Sequence, residues 1–247
     1  MRKAFDEELQ FISDQLVEMT RLAASALTRA TQALLDADLE LAESVITADE
    51  HIDEVRRQLD LRAIDTLARQ QPVATDLRIL VTSMRMSSDL ERMGDLARHI
   101  AKLTRLRYPN SVVPPSLRST FTEMSQVAIR MTAKTGQILA TSNPAGAAEL
   151  HRDDDTIDEL HRQVFAELLS ENWEHGVEAA IDATLLSRYV ERFADHAVSV
   201  AERVVYLVTG TYDGEDELDD RLDARTARSA SSTAPVRAPR DGELSRR

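Results

Sequence analysis

The chain has 247 residues, 43% of them hydrophobic, a formal net charge of −13 and no cysteine. That apolar content can fill one large or two small domains, so wholesale disorder is excluded, as are a disulfide framework and a thiolate metal site. The negative charge argues against nucleic acid and anionic lipid as direct partners and favours cations and basic protein surfaces.

Arg2 and Lys3 are followed by Asp6, Glu7 and Glu8, where a secretion signal would carry its apolar stretch. The longest apolar run, Val204 to Val208, falls far short of the roughly 18 residues of a membrane span. A cytoplasmic protein without a membrane span is the expectation.

Residues 1–71 contain neither glycine nor proline, which predicts uninterrupted helix. Phe5, Leu9, Ile12, Leu16, Met19, Ala23, Ala26, Ala30 and Ala33 alternate steps of four and three, the seam of one long packed helix. Asp36 and Asp38 interrupt it, and Asp38 suits the N-cap of a second helix with the seam Leu41, Val45, Ala48, Ile52, Val55, Leu59. Gln71–Pro72 ends that helix, and Pro72 is predicted in the first turn of a third that runs toward Arg107.

The stretch "YPNSVVPPS", residues 108–116, holds three of the seven prolines and reads as a linker. After it the plan repeats. Ile52, Asp53, Glu54 and Gln58 return 105 residues later as Ile157, Asp158, Glu159 and Gln163. Glu91, Arg92, Asp95 and Ala97 return 100 residues later as Glu191, Arg192, Asp195 and Ala197, so the second copy is shortened near Gly176. The expectation is an all-α chain of two tandem three-helix bundles, 1–107 and 117–212. Residues 213–247 are polar and weakly periodic and read as a disordered tail, whose acids Asp213, Glu215, Asp216, Glu217, Asp219 and Asp220 could attract a basic partner.

Four-residue spacing stacks Glu91 over Asp95, and Glu191 over Asp195, on one helix face. Asp49 and Asp53 form a second pair on the flank of the second helix's seam, and the repeat supplies Asp154 and Asp158. If the second and third helices of each copy are antiparallel neighbours, four carboxylates share a groove, where they repel unless a cation intervenes. Oxygen-only donors suit magnesium, calcium, manganese or iron, with zinc less expected. A like-charge pair on an exposed helix costs only about 0.2–0.5 kcal/mol, so one pair alone is more simply a solvated face. Repetition at matched positions favours a site.

No histidine follows a glutamate by three residues, so the ligand pattern of a di-iron carboxylate enzyme is missing. No phosphate-cradling loop or nucleophile elbow is present, and a non-enzymatic role is expected. His99 and His196 read as surface residues, Arg92 and Arg192 as neutralisers of nearby acids, and Trp173 as a core plug.

The segments "ATDLRILVTSMRMSSDLERMGDLARHIAKL" and "RYVERFADHAVSVAERV", with the opening "MRKAFDEEL", resemble the PhoU family of phosphate-signalling regulators over residues 1 to about 212. The resemblance implies two pseudo-symmetric antiparallel three-helix bundles bearing multinuclear metal clusters on their surface. Carried over by position, one cluster would use Asp49, Asp53, Glu91 and Asp95, and the other Asp154, Asp158, Glu191 and Asp195. It also implies a homodimer and a negative regulator that couples the phosphate ABC transporter's ATPase to a sensor histidine kinase. The family's usual Asn and Ile-Ala-Glu after the motif are replaced in the first copy by His99, Ile100, Ala101 and Lys102, and Lys102 puts a positive charge on the acid-bearing face. The second site is therefore the better metal host. Two rival readings are a carboxylate-bridged redox protein and a metal-free helical scaffold.

Overall fold

Six long helices build the protein, a computed structural model that describes residues 2–210. The predicted tail and its acids lie outside the described residues. In chain order the helices are α1 Arg2–Asp36, α2 Leu39–Gln70, α3 Thr75–Arg107, α4 Arg118–Thr141, α5 Ala147–Leu168 and α6 Gly176–Thr209. Short 3-10 turns, Pro115–Leu117 and Pro144–Gly146, precede α4 and α5. Among the described residues there is no strand, and no helix is long and apolar enough to cross a membrane.

The chain breaks where its chemistry directs. Asp38 caps α2, its carboxylate accepting from the Leu41 N–H at 2.9 Å. Gln71, in the left-handed region at φ 46°, ends α2 as expected. Pro72 does not start α3. Ala74 also takes a left-handed φ of 51°, so the first helical residue is Thr75 and Pro72 sits in the connection. The shortening of the second copy is visible as the early end of α5 at Leu168 and an irregular connection, residues 169–175.

Each copy is an antiparallel helical trio. Within the first, Arg29 donates to Ser44 and Arg62 pairs with Glu8 between α1 and α2, while Arg105 pairs with Glu43 and Ser87 donates to Asp60 between α2 and α3. The trios share one core. α1 lies against α4, where Gly136 fits beside Thr20, and α3 lies antiparallel to α6. Arg107 near the end of α3 reaches Asp182 near the start of α6 through Nε at 2.6 Å and Nη2 at 3.1 Å, and Asp89 on α3 meets His196 at 3.2 Å and Arg203 at 2.9 Å on α6. Phe121, Phe193, Leu16, Met19, Leu80, Leu90 and Met93 are fully buried between them.

This packing corrects two sequence expectations. His99 stacks on Tyr189 with ring centroids 5.3 Å apart, and His196 joins Asp89, so both lie at the α3–α6 contact instead of on a free surface. Burial raises the Asp89 carboxyl, but the His196 hydrogen bond and the Arg203 charge outweigh it and leave the group below its ordinary value.

Candidate functional site

The α2–α3 and α5–α6 pairs place the predicted carboxylates on facing sides of two grooves. In the first, Asp49 and Asp53 stand on α2 opposite Glu91 and Asp95 on α3. Asp49 is not on the flank of its seam, as the spacing suggested. It is 4% exposed, in register with buried Ala42, Val45 and Ile52, while Ala48 faces solvent. Two residues on α3 allow this. Gly94 leaves room: a Cβ there would stand 2.8 Å from Ile52 Cδ1 and 2.9 Å from Asp49 Oδ1. Arg98 supplies the charge, its Nη1 2.6 Å from Asp49 Oδ2 and its other amino group on Asp95.

Glu91 and Asp95 are also served by arginine, whereas Asp53 has no ion pair among the described residues. Arg92 Nη1 lies 3.0 Å from Asp95 Oδ2 and its Nε 3.7 Å from Glu91, while Arg56 approaches Glu91 at 3.8 Å from across the groove. Burial nevertheless pushes the Asp49 carboxyl up to about 6; Arg98 opposes the rise, and Asp53, Asp95 and Glu91 add to it. Glu91 is raised by burial and then by Asp95. Guanidinium groups supply positive charge beside Asp49, Glu91 and Asp95. Lys102 makes no ion pair among the described residues, so the neutralising charge is Arg98's and not the one the sequence singled out.

The second groove has the same acids and less compensation. Asp154 and Asp158 on α5 oppose Glu191 and Asp195 on α6, but position 198 is valine where the first copy has Arg98, and Ala194 stands where it has Gly94. Arg188 pairs with Glu191, and Arg192 is exposed without an ion pair among the described residues. Asp154 and Asp195 form no ion pair there either. Burial pushes Asp154 up to about 6, and the charges of Asp195 and Asp158 push the same way. Asp195 is raised by burial and then by Glu191. Asp154 and Asp195 thus each carry the repulsion of neighbouring acids in this groove. Among the described residues, no three Asp, Glu or His side chains converge tightly enough as they stand to enclose a metal ion.

The PhoU domain family model matches residues 16–104 and 121–204, one match for each helical trio. The chain belongs to the PhoU family. The phosphate-specific transport system accessory protein PhoU homolog 2 of Mycobacterium tuberculosis is 45% identical over 212 residues, covering 86% of this chain and all of that protein. A PhoU homolog of Rhizobium meliloti is 33% identical over 84% of this chain and 88% of its own length. The crystal structure of PhoU from Pseudomonas aeruginosa superposes with a TM-score of 0.78 at 29% identity, over 84% of this chain and all of that one. The phosphate transport system regulatory protein PhoU from Streptococcus pneumoniae gives 0.76 at 26% identity, over 84% and 98%.

Within this PhoU-family chain, Arg98, Arg56 and Gly94 were missed as members of the first groove. The signal was present for Arg98, which follows Asp95 by three residues and has no counterpart at Val198. His161, three residues after Asp158, turns its Nδ1 to the hydroxyl of Ser187. Trp173 packs partly against the core and donates from Nε1 to the Gly176 carbonyl at 2.9 Å, which fastens the α5–α6 connection.

Proposed function

We propose that the protein is a cytoplasmic regulatory adaptor of phosphate transport that keeps phosphate-starvation genes silent while phosphate is plentiful. It would do so by linking the phosphate ABC transporter's ATPase to a sensor histidine kinase, and it would work as a homodimer. The observation that carries this reading is that both trios match the PhoU domain and that the relatives spanning them are accessory and regulatory proteins of phosphate transport. Removing the gene is expected to leave phosphate-starvation genes expressed in high phosphate, measured as transcript level. Unchanged silencing would overturn the reading.

The carboxylate grooves fit such a role as docking or bracing elements. The second groove fits a hard cation such as magnesium, manganese or iron, with Asp154, Asp158, Glu191 and Asp195 as its oxygen donors and no arginine between Asp154 and Asp195. A bound cation would supply positive charge that ties α5 to α6. In the first set, Asp49, Asp53, Glu91 and Asp95, the need is met at Asp49, Asp95 and Glu91 by Arg98, Arg92 and Arg56. Elemental analysis of untagged protein is expected to show metal that disappears when Asp154 and Asp195 are both replaced by Asn; equal content in the variant would remove the metal from this reading.

A further inference from the structure

Both hairpin tips carry apolar side chains that nothing among the described residues covers. At the α2–α3 tip these are Leu61, Ile64, Val73, Leu77 and Val81; at the α5–α6 tip they are Phe165, Leu169, Val177, Ile181 and Leu185. Three of the second set lie along one helix. Val177, Ile181 and Leu185 follow each other at four-residue intervals, so they share one face of α6 over about 12 Å. Leu169 is 84% exposed, Val177 76% and Ile181 55%. Isolated exposed apolar residues need no explanation, but a stripe of this kind marks an interaction surface.

Charge distinguishes the tips. Around the first, most arginines are engaged within the chain, Arg57 on Glu54, Arg62 on Glu8, Arg69 on Asp65 and Arg56 on Asp60 and Glu91, while Arg85 is exposed without an ion pair among the described residues. Around the second, Glu167, Glu171 and Glu174 have no cationic partner among the described residues. Arg162 is held by Glu159, Arg188 by Glu191, and Arg107 is shared by Glu178 and Asp182. The second stripe is therefore edged by uncompensated negative charge, which repels anionic lipid. A second copy's first tip offers little in return, the exposed Arg85 against three glutamates.

We infer that the α5–α6 tip is a docking surface for a lysine- or arginine-rich amphipathic helix of a partner protein. The apolar face of that helix lies on Val177, Ile181 and Leu185, and its cationic flank faces Glu167, Glu171 and Glu174. Apolar anchors supply affinity, and charge supplies orientation and rate. It goes beyond the adaptor reading and does not depend on metal in the carboxylate groove.

Trp173, the chain's one tryptophan, lies in the connection between Leu169 and Val177, edge-on to His175 with centroids 4.9 Å apart. It is a built-in reporter of this tip. The probe is a synthetic helix of about five turns made of leucine and lysine, free of aromatic residues, added to the full chain while Trp173 emission is followed. Saturation at one peptide per chain is expected, with affinity falling as salt rises. Ile181→Glu is expected to weaken binding about tenfold or more, although it adds negative charge, and Leu77→Glu at the other tip is expected to leave it unchanged. Both positions are exposed, and helical content by circular dichroism checks the fold. Equal or tighter binding by Ile181→Glu would show mere attraction to an acidic chain and overturn the proposal. So would an absence of binding, or a wild type that Ile181→Glu converts from dimer to monomer in light scattering, which would assign the stripe to a second copy.

Discussion

The two grooves begin from the same four acids and differ in the tethered charge set among them. In the first, Gly94 lets Asp49 sink against α3 and Arg98 bridges it to Asp95, so the groove is closed by covalently tethered positive charge. In the second, Ala194 and Val198 stand at those positions, and Asp154 and Asp195 face each other without a tethered cation. Duplicated ligand sets thus need not be duplicated sites. Arg98 ties Asp49 to Asp95 in one copy, whereas in the other the guanidinium of Arg188 reaches only Glu191 among the four acids.

The sharpest way to break this contrast is to remove the tethered charge. Arg98→Met leaves a carboxylate that is 4% exposed without its counter-ion, and a loss of about 3 kcal/mol is expected in urea unfolding at pH 7. At pH 5 the loss should shrink, because a carboxyl raised to about 6 then takes up a proton. The reverse exchange, Val198→Arg, tests the other groove. Manganese at a hundredfold excess over its dissociation constant should stabilise the wild type by about 2.7 kcal/mol, read as a higher melting temperature, and Val198→Arg should abolish that gain.

Smaller effects sharpen the comparison at the backbone. Gly94→Ala forces a methyl group to within 2.8 Å of Ile52 and 2.9 Å of Asp49. Overpacking should exceed the helix-propensity gain, for a net loss of about 1–2 kcal/mol in chemical denaturation. The smallest effect is the acid's own. Asp154 has an ordinary value of 3.8 and is raised to about 6 in the fold, so between those values the folded chain binds a proton that the unfolded chain has released. Stability of the metal-free protein therefore falls as pH rises through that window, and the penalty is complete above it. Asp154→Asn should raise stability at pH 7 by about 1 kcal/mol after allowance for solvent screening, and leave it unchanged below pH 4. Thermal melts with a chelator across that range measure the difference.

Much of this was readable beforehand. Glycine- and proline-free stretches, the Asp38 cap and the duplicated acids led to six helices in two antiparallel trios, and the carboxylates do stand across the α2–α3 and α5–α6 grooves. The rotation of α2 was harder to read. A seam through Ala48 and one through Asp49 differ by a single residue, and hydrophobicity favours alanine; only the space at Gly94 and the charge of Arg98, both on another helix, turn the acid inward. Pro72 was misplaced for a local reason, since nothing in the composition announces a left-handed alanine at position 74. The roles of His99 and His196 were hidden because they depend on how the two trios meet, through Tyr189 and Asp89, which no periodicity within one helix encodes.

That meeting has a consequence for how the protein can be divided. Asp182 is 4% exposed and leans on Arg107 from the other trio, and Asp89 is satisfied only by side chains of α6. Severing the polypeptide in the proline-rich stretch would strand carboxylates and bare the apolar sides of α1 and α3 at once. Neither piece is then a portable module.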